Sequence, residues 1–260
     1  MVDSRQLIAR SGLAPHEATR LLARVVDRPL LEVKAGLEVN PAGAVEFDRL
    51  AASRRAGHPL QYLEGEVDFG PITVQVDQRV LIPRPETEFL FEQVSTLEPP
   101  PGLIVDLCTG SGVLALALKT VFPAARVIGS DVSIQALAVA EENATRLGLA
   151  VEWAQGDLWA ALPPAVAGAI DLLVANPPYL SEAEWESAPV DVRYEPKQAL
   201  VAGAGGTEVV ERIMGGLATW LRPGGRALIE VGEDQAEHLG WSYSVPVVND
   251  QYGKPRYLSV

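Results

Sequence analysis

Apolar positions in the first 57 residues recur at helical spacing. Leu21, Leu22 and Val25 share one face of a segment opened by Pro15-His16-Glu17-Ala18 and ended by Asp27-Arg28-Pro29. A second such segment runs from about Val45 to Arg55 and stops at Gly57. From Gln61 to Val80 the spacing changes to strand character. There Glu66-Val67-Asp68-Phe69, a Gly70-Pro71 turn and Ile72-Thr73-Val74-Gln75-Val76 predict a hairpin. Beyond residue 102, short apolar runs alternate with amphipathic stretches. Strands are expected at 103–107, 126–130, 150–154, 170–175 and 226–231, and helices near 112–120, 133–147 and 207–221. Tyr243–Val248 and Pro255–Val260 read as an antiparallel edge. This alternation predicts the α/β class: a doubly wound, mostly parallel, seven-stranded Rossmann-like sheet. The expected organisation is a helical domain over residues 1–60, a β-hairpin linker over 61–84 and the α/β domain over 85–260.

Composition narrows the setting. Of 260 residues, 48% are hydrophobic, ample for a core. The single cysteine, Cys108, excludes an internal disulfide, fits a reducing compartment and lies in an apolar strand pattern, where it reads as packing. His16, His58 and His238 show no metal-ligand spacing, so no metal is expected. Residues 1–10 lack the apolar stretch of a signal peptide and no run reaches membrane-spanning length, so a cytoplasmic protein without membrane contact is expected. The net charge of −13 is uneven: residues 1–60 hold nine Lys/Arg against seven Asp/Glu, and residues 61–260 hold twelve against twenty-seven. So acidic a surface is a poor match for a phosphate backbone and argues against DNA or RNA as the main partner.

Two motifs carry chemistry. The first follows the strand Leu103–Leu107: Asp106, then Cys108-Thr109-Gly110-Ser111-Gly112 and a helix. Glycines at such a turn let the backbone approach a ligand and leave helix N–H groups pointing at it. Asp131, 19 residues after Gly112 at the end of the next strand, suits a pair of ribose hydroxyls, and Asp157-Leu158 ends the third strand, where it can flank an adenine. Gly110-Ser111-Gly112-Val113-Leu114-Ala115 also satisfies a relaxed dinucleotide pattern, so the loop alone does not separate NAD from S-adenosylmethionine. Asp106 either faces a cationic cofactor or satisfies the loop's own N–H groups.

The second motif is Asn176-Pro177-Pro178-Tyr179, after the apolar run 170–175. Two prolines fix two φ angles and remove two donors. A substrate NH2 group can then donate to the Asn176 side-chain oxygen and the Pro177 carbonyl, with its flat face against Tyr179. That holder suits methyl transfer to a planar nitrogen and favours S-adenosylmethionine as cofactor, although Asn-Pro and Pro-Pro are also ordinary turn signals.

With both motifs in view, the chain resembles the release-factor glutamine methyltransferases, the HemK/PrmC family, over nearly its whole length. The resemblance rests on Arg54-Arg55-Ala56-Gly57-His58-Pro59-Leu60-Gln61-Tyr62-Leu63-Glu64-Gly65, Phe69, Leu81-Ile82-Pro83-Arg84-Pro85-Glu86-Thr87-Glu88, the glycine loop, Asn176–Tyr179 and Val192-Arg193-Tyr194-Glu195-Pro196. It implies methyl transfer from S-adenosylmethionine to the glutamine of the Gly-Gly-Gln motif in peptide chain release factors, with a helical N-terminal domain that helps to dock that protein. Arg84 and Glu86 join Asn176–Tyr179 as expected substrate-binding residues; Pro85, Glu86 and Glu88 are equally a good helix start. Glu195 receives no role, and a monomer is expected. Cys108 stands where glycine is commonest in the family, a small-for-small change expected to be tolerated. Leu158 replaces an aromatic, and Gly232–Ser242 looks short for a full helix. A ribosomal-protein glutamine methyltransferase and a DNA or RNA amino-methyltransferase using the same tetrapeptide are the alternatives.

Overall fold

The computed structural model describes residues 1–260. They form two compact units, Met1–Glu66 with Pro189–Tyr194, and Val67–Ala188 with Glu195–Val260.

In the first unit, β1 (Val2–Asp3) and β2 (Glu38–Val39) pair antiparallel beside helices α1 (Ser4–Arg10), α2 (Pro15–Val26), α3 (Leu30–Ala35), α4 (Pro41–Arg55) and α5 (Leu60–Glu64). Leu7, Leu21, Leu22, Val33 and Phe47 meet in its core, fully buried. Helix α4 starts earlier than its apolar pattern indicates, because the Asn40 side chain accepts the Gly43 N–H at 2.8 Å and Pro41 takes the first helical position. The strand character expected from Gln61 is corrected: residues 60–64 are helical, started after Pro59 and closed by Gly65 at φ 80°. The distant segment Pro189–Tyr194 belongs to this unit. The ring of Tyr194 lies 4.3 Å from that of His58, and its hydroxyl donates to the Ala56 carbonyl.

The second unit opens with the expected hairpin, β3 (Glu66–Phe69) and β4 (Ile72–Gln75), then α6 (Pro85–Val94). Next come β5 (Leu103–Leu107), α7 (Val113–Val121), β6 (Arg126–Asp131), α8 (Ile134–Leu147), β7 (Glu152–Gln155) and β8 (Ile170–Ala175). After β9 (Leu180–Ser181), α9 (Glu182–Ser187) and β10 (Val201–Gly203) come α10 (Glu208–Trp220), β11 (Leu221–Glu230), α11 (Glu233–Tyr243), β12 (Val247–Asn249) and β13 (Pro255–Ser259). The main sheet has seven strands in the order β12-β13-β11-β8-β5-β6-β7. Neighbours from β11 through β7 run parallel, and β13 is antiparallel to both β11 and β12.

All five residues of β5 are buried, which is why its apolar run does not alternate: helices cover both faces of a parallel sheet. Strand β11 begins earlier than expected, with a register break between Leu221 and Arg226 around Pro223-Gly224-Gly225. The shortness expected of Gly232–Ser242 is also corrected. Eleven residues form α11, with Ala236, Leu239 and Gly240 as its buried stripe and Ser244 ending it in the left-handed region. The strand order reverses between β5 and β8, with β6 and β7 following on one side and β11 on the other, where a doubly wound sheet opens a crevice at its carboxyl ends.

Candidate functional site

That crevice holds a cavity of roughly 310 Å³. Cys108, Gly110, Asp131, Asp157, Leu158, Asn176 and Pro178 line it, all from the set expected on sequence. Asp106, Thr109, Ser111, Gly112, Pro177, Tyr179, Arg84 and Glu86 are not among the lining residues. Sequence reasoning passed over Val132, Ala136 and Val209, which give the cavity apolar wall, and Gln198 and Arg212, which give it polar wall. None carries a motif; only the topology brings them there.

The glycine loop is held from several sides. Asp106 is 1% exposed; its Oδ2 accepts the Thr109 hydroxyl at 2.5 Å and the Ala115 N–H of α7 at 3.1 Å. Its Oδ1 is buried without a partner. Of the two roles considered for Asp106, the bracing of the loop and of the helix start is the one these bonds show. Burial pushes this carboxyl up to about 7, against the pull of the Thr109 hydrogen bond. Gly112 sits at φ 79°, and a Cβ there would lie 2.8 Å from the Trp153 ring, so both its conformation and its contact require glycine. Asn143, fully buried on α8, gives its amide hydrogens to the Ser111 and Gln75 carbonyls and accepts the Gln75 N–H, tying hairpin strand β4 to the loop.

Cys108 adopts φ 61°. A Cβ-bearing residue in the left-handed region costs roughly 1–2 kcal/mol, so conformation, more than size, explains a preference for glycine here. Burial, with Asp131 and Asp106 nearby, pushes its thiol well up, which keeps it protonated and a poor nucleophile.

Asp131 ends β6 with Oδ2 accepting the Gly110 N–H at 2.9 Å and Oδ1 accepting the Ser133 N–H at 2.8 Å. Each oxygen keeps a lone pair for the cavity, and burial raises this carboxyl as well. Asp157 is paired with Arg212 at 2.6 Å, and Leu158 packs into the core at φ 50°.

The tetrapeptide leaves β8 into a framework of long-range bonds. The Tyr179 N–H donates to the Leu200 carbonyl, and the Tyr179 carbonyl accepts the Gln235 amide of α11 at 2.8 Å. Burial pushes the Tyr179 phenol up to about 12, so it stays neutral. Asn176 Nδ2 donates to the Thr87 hydroxyl at 2.9 Å, and that hydroxyl donates to buried Glu230 at 2.8 Å. Asn176 Oδ1 is buried with no partner. The Arg84–Glu88 segment braces this region. Arg84 pairs with buried Glu195, whose other oxygen accepts the Ile82 N–H, and the Glu86 carbonyl accepts the Tyr257 hydroxyl at 2.7 Å. Glu195, left without a role on sequence, is thus the counter-ion of Arg84.

The cavity is therefore lined by the carboxylates of Asp131 and Asp157, by Asn176, whose Oδ1 is buried without a partner, and by apolar walls at Leu158, Val132 and Val209. Asp106, with its own unpartnered Oδ1, lies behind this lining. A ligand with several N–H or O–H donors, positive charge and a flat apolar part matches it; a pyrophosphate does not, because acidic groups line this pocket.

Residues 85–191 match the methyltransferase small domain. A release factor glutamine methyltransferase from Moorella thermoacetica is 43% identical over 214 residues, covering 81% of this chain and 75% of its own. The enzyme of the same name from Deinococcus radiodurans is 37% identical over 268 residues, covering 96% and 93%. Among solved structures, the ribosomal protein L11 methylase from Lactobacillus delbrueckii subsp. bulgaricus superposes with a TM-score of 0.50 at 20% identity, over 71% of this chain and 84% of that one, a likeness of fold. Full-length identity of this order, on a chain that keeps both motifs, decides the matter: this chain belongs to the release factor glutamine methyltransferases.

Proposed function

We propose that the chain transfers a methyl group from S-adenosylmethionine to the side-chain amide nitrogen of the glutamine in the Gly-Gly-Gln motif of peptide chain release factors. The observation that carries this reading is the Asn176 side chain. Its Nδ2 is committed to Thr87, and its Oδ1 is buried without a partner on a residue that lines the cavity. An acceptor held that way is complementary to an NH2 group.

Asp106 Oδ1, Asp131, Leu158 and the backbone of Cys108–Gly112 are the residues that would hold the cofactor. An unpartnered buried carboxylate oxygen suits its ammonium group, Asp131 its ribose, and Leu158 with Val132 the adenine. Bound there, S-adenosylmethionine supplies a methyl group already activated as an electrophile by its sulfonium.

The chain's own work is to present the nitrogen. An amide nitrogen is a weak nucleophile because its lone pair is delocalised into the carbonyl. Asn176 Oδ1 and the Pro177 carbonyl orient the NH2 and favour positive charge developing on it. Pro177 and Pro178 lack N–H groups, so no donor at those positions competes. Tyr179 supplies a flat, neutral face. Orientation of this kind accounts for on the order of 7–11 kcal/mol of barrier lowering in well-aligned systems. No side chain is assigned as general base, because the methylated amide sheds its extra proton readily.

The helical residues 1–60, whose nine Lys/Arg against seven Asp/Glu contrast with the acidic remainder of the chain, we assign to docking the release factor, and the cytoplasm is where that partner works. No helix is long and apolar enough to cross a membrane. The test is transfer of a labelled methyl group from S-adenosylmethionine to a purified release factor, beside its Gly-Gly-Gln glutamine→alanine variant and duplex DNA. Label on the unmodified factor alone is expected. Label on DNA, or on the alanine variant, overturns the reading.

A further inference from the structure

The catalytic amide of Asn176 is symmetric in shape but not in chemistry. Turned by 180°, it would offer two donors to a substrate NH2 group that needs acceptors. Something must hold it one way round, and three residues distant in sequence do so in a one-way chain.

Thr87, on the first turn of α6, is 3% exposed and has one hydroxyl proton. That proton goes to Glu230 Oε2 at 2.8 Å. An ionised carboxylate only accepts, so the hydroxyl has only lone pairs left for Asn176, and Asn176 meets it with Nδ2–H at 2.9 Å. Oδ1 is thereby forced to the other side, where it lies buried without a partner. We propose that Thr87 and Glu230 are positioning residues that set which end of the Asn176 amide faces the substrate, so that the charge on Glu230 keeps the site competent. This rests on the reading of Asn176 as the holder of the substrate amide.

Protonation of Glu230 reverses the logic. A carboxylic acid can donate to the Thr87 oxygen, which frees the Thr87 proton for Asn176 Oδ1 and turns Nδ2 toward the substrate. Glu230 is placed to make this happen near neutrality, since burial at 1% exposure pushes its carboxyl up to about 7. The charged groups around it are Arg84 and Glu86 at the α6 start, Arg256 and Tyr257 on β13, where Tyr257 stands directly opposite Glu230, and Tyr179 beyond β8. Arg84 is committed to Glu195, and both tyrosines stay neutral, pushed up by burial. Glu230 is the buried carboxyl of this set, and burial is what brings its change of charge toward physiological pH.

The experiment compares wild type, Thr87→Val, Thr87→Ser and Glu230→Gln for kcat and KM on a release factor at saturating S-adenosylmethionine from pH 5.5 to 9, with cofactor binding by calorimetry. Valine keeps the shape and removes the hydroxyl; serine keeps the hydroxyl and removes a methyl. Thr87→Val and Glu230→Gln are expected to lose kcat on the order of 10–100-fold with cofactor binding unchanged. Thr87→Ser is expected to stay within about threefold of wild type. Wild-type kcat should fall as pH drops through about 7, and this limb should be missing in Thr87→Val. Wild-type kcat in Thr87→Val, or a serine variant as poor as the valine one, overturns the proposal and leaves a packing role. A wild-type enzyme that puts no methyl on the glutamine overturns the functional reading itself, a separate outcome.

Discussion

Replacing Asp106 by asparagine should make the second unit more stable at pH 8 and spoil cofactor binding. The carboxyl is buried and its pKa is raised from 3.8 to about 7. A shift of about three units at about 1.4 kcal/mol each is a cost of about 4 kcal/mol for carrying the ionised group in the folded state above pH 7. The hydrogen bonds from Thr109 and Ala115 already act within that shift and are not subtracted again. Asparagine removes the charge but buries an amide nitrogen where Oδ1 finds no partner, which costs roughly 1–2 kcal/mol. The net gain at pH 8 is therefore about 2–3 kcal/mol. The sign follows from proton binding: between pH 4 and 7 the folded wild type holds more protons than the unfolded chain, so its stability falls as pH rises. Near pH 4 the variant should be slightly the less stable protein. Its advantage should grow by roughly 1.4 kcal/mol per pH unit up to about pH 7 and then level off. Urea unfolding followed by tryptophan fluorescence measures this in the relevant unit, because all five tryptophans lie there. A stability difference that stays flat from pH 4 to 8, or an asparagine variant less stable at pH 8, refutes the reasoning.

Cys108→Gly should stabilise the protein by about 1 kcal/mol in the same urea experiment, since it relieves a left-handed φ of 61°; a destabilised variant would mean that the thiol's packing outweighs the strain. Arg84→Ala leaves the Glu195 carboxylate buried without its counter-ion, so a loss of about 3 kcal/mol is expected. If Arg84→Ala instead keeps wild-type stability and raises only the KM for the release factor, the arginine contacts substrate and the brace is unimportant.

Much of the fold was legible because its signals are local. The apolar run Leu103–Leu107, the glycines behind it and the prolines at 177 and 178 each announce their structure within a few residues. Two local signals misled. Gln61–Glu64 sits next to a true hairpin yet folds as a helical turn between Pro59 and Gly65. Gly232–Ser242 has few apolar residues, and α11 forms there on a stripe of only Ala236, Leu239 and Gly240. What could not be read was pairing across distance. Thr87 and Glu230 are 143 residues apart, and Thr87 and Asn176 are 89 apart. In the sequence Thr87 looks like part of a helix start and Glu230 like the end of a strand. The sheet order sets β11 beside β8, and the packing of α6 against β11 brings Thr87 to both. Glu195 and Asn143 were hidden for the same reason.

The most direct test of the account is site-resolved mass spectrometry of a release factor after incubation with S-adenosylmethionine and either the wild-type chain or Asn176→Ala. One added methyl on the Gly-Gly-Gln glutamine side chain is expected with wild type and none above background with Asn176→Ala, which should still bind the cofactor. A methyl on any other residue, or full modification by Asn176→Ala, would contradict it.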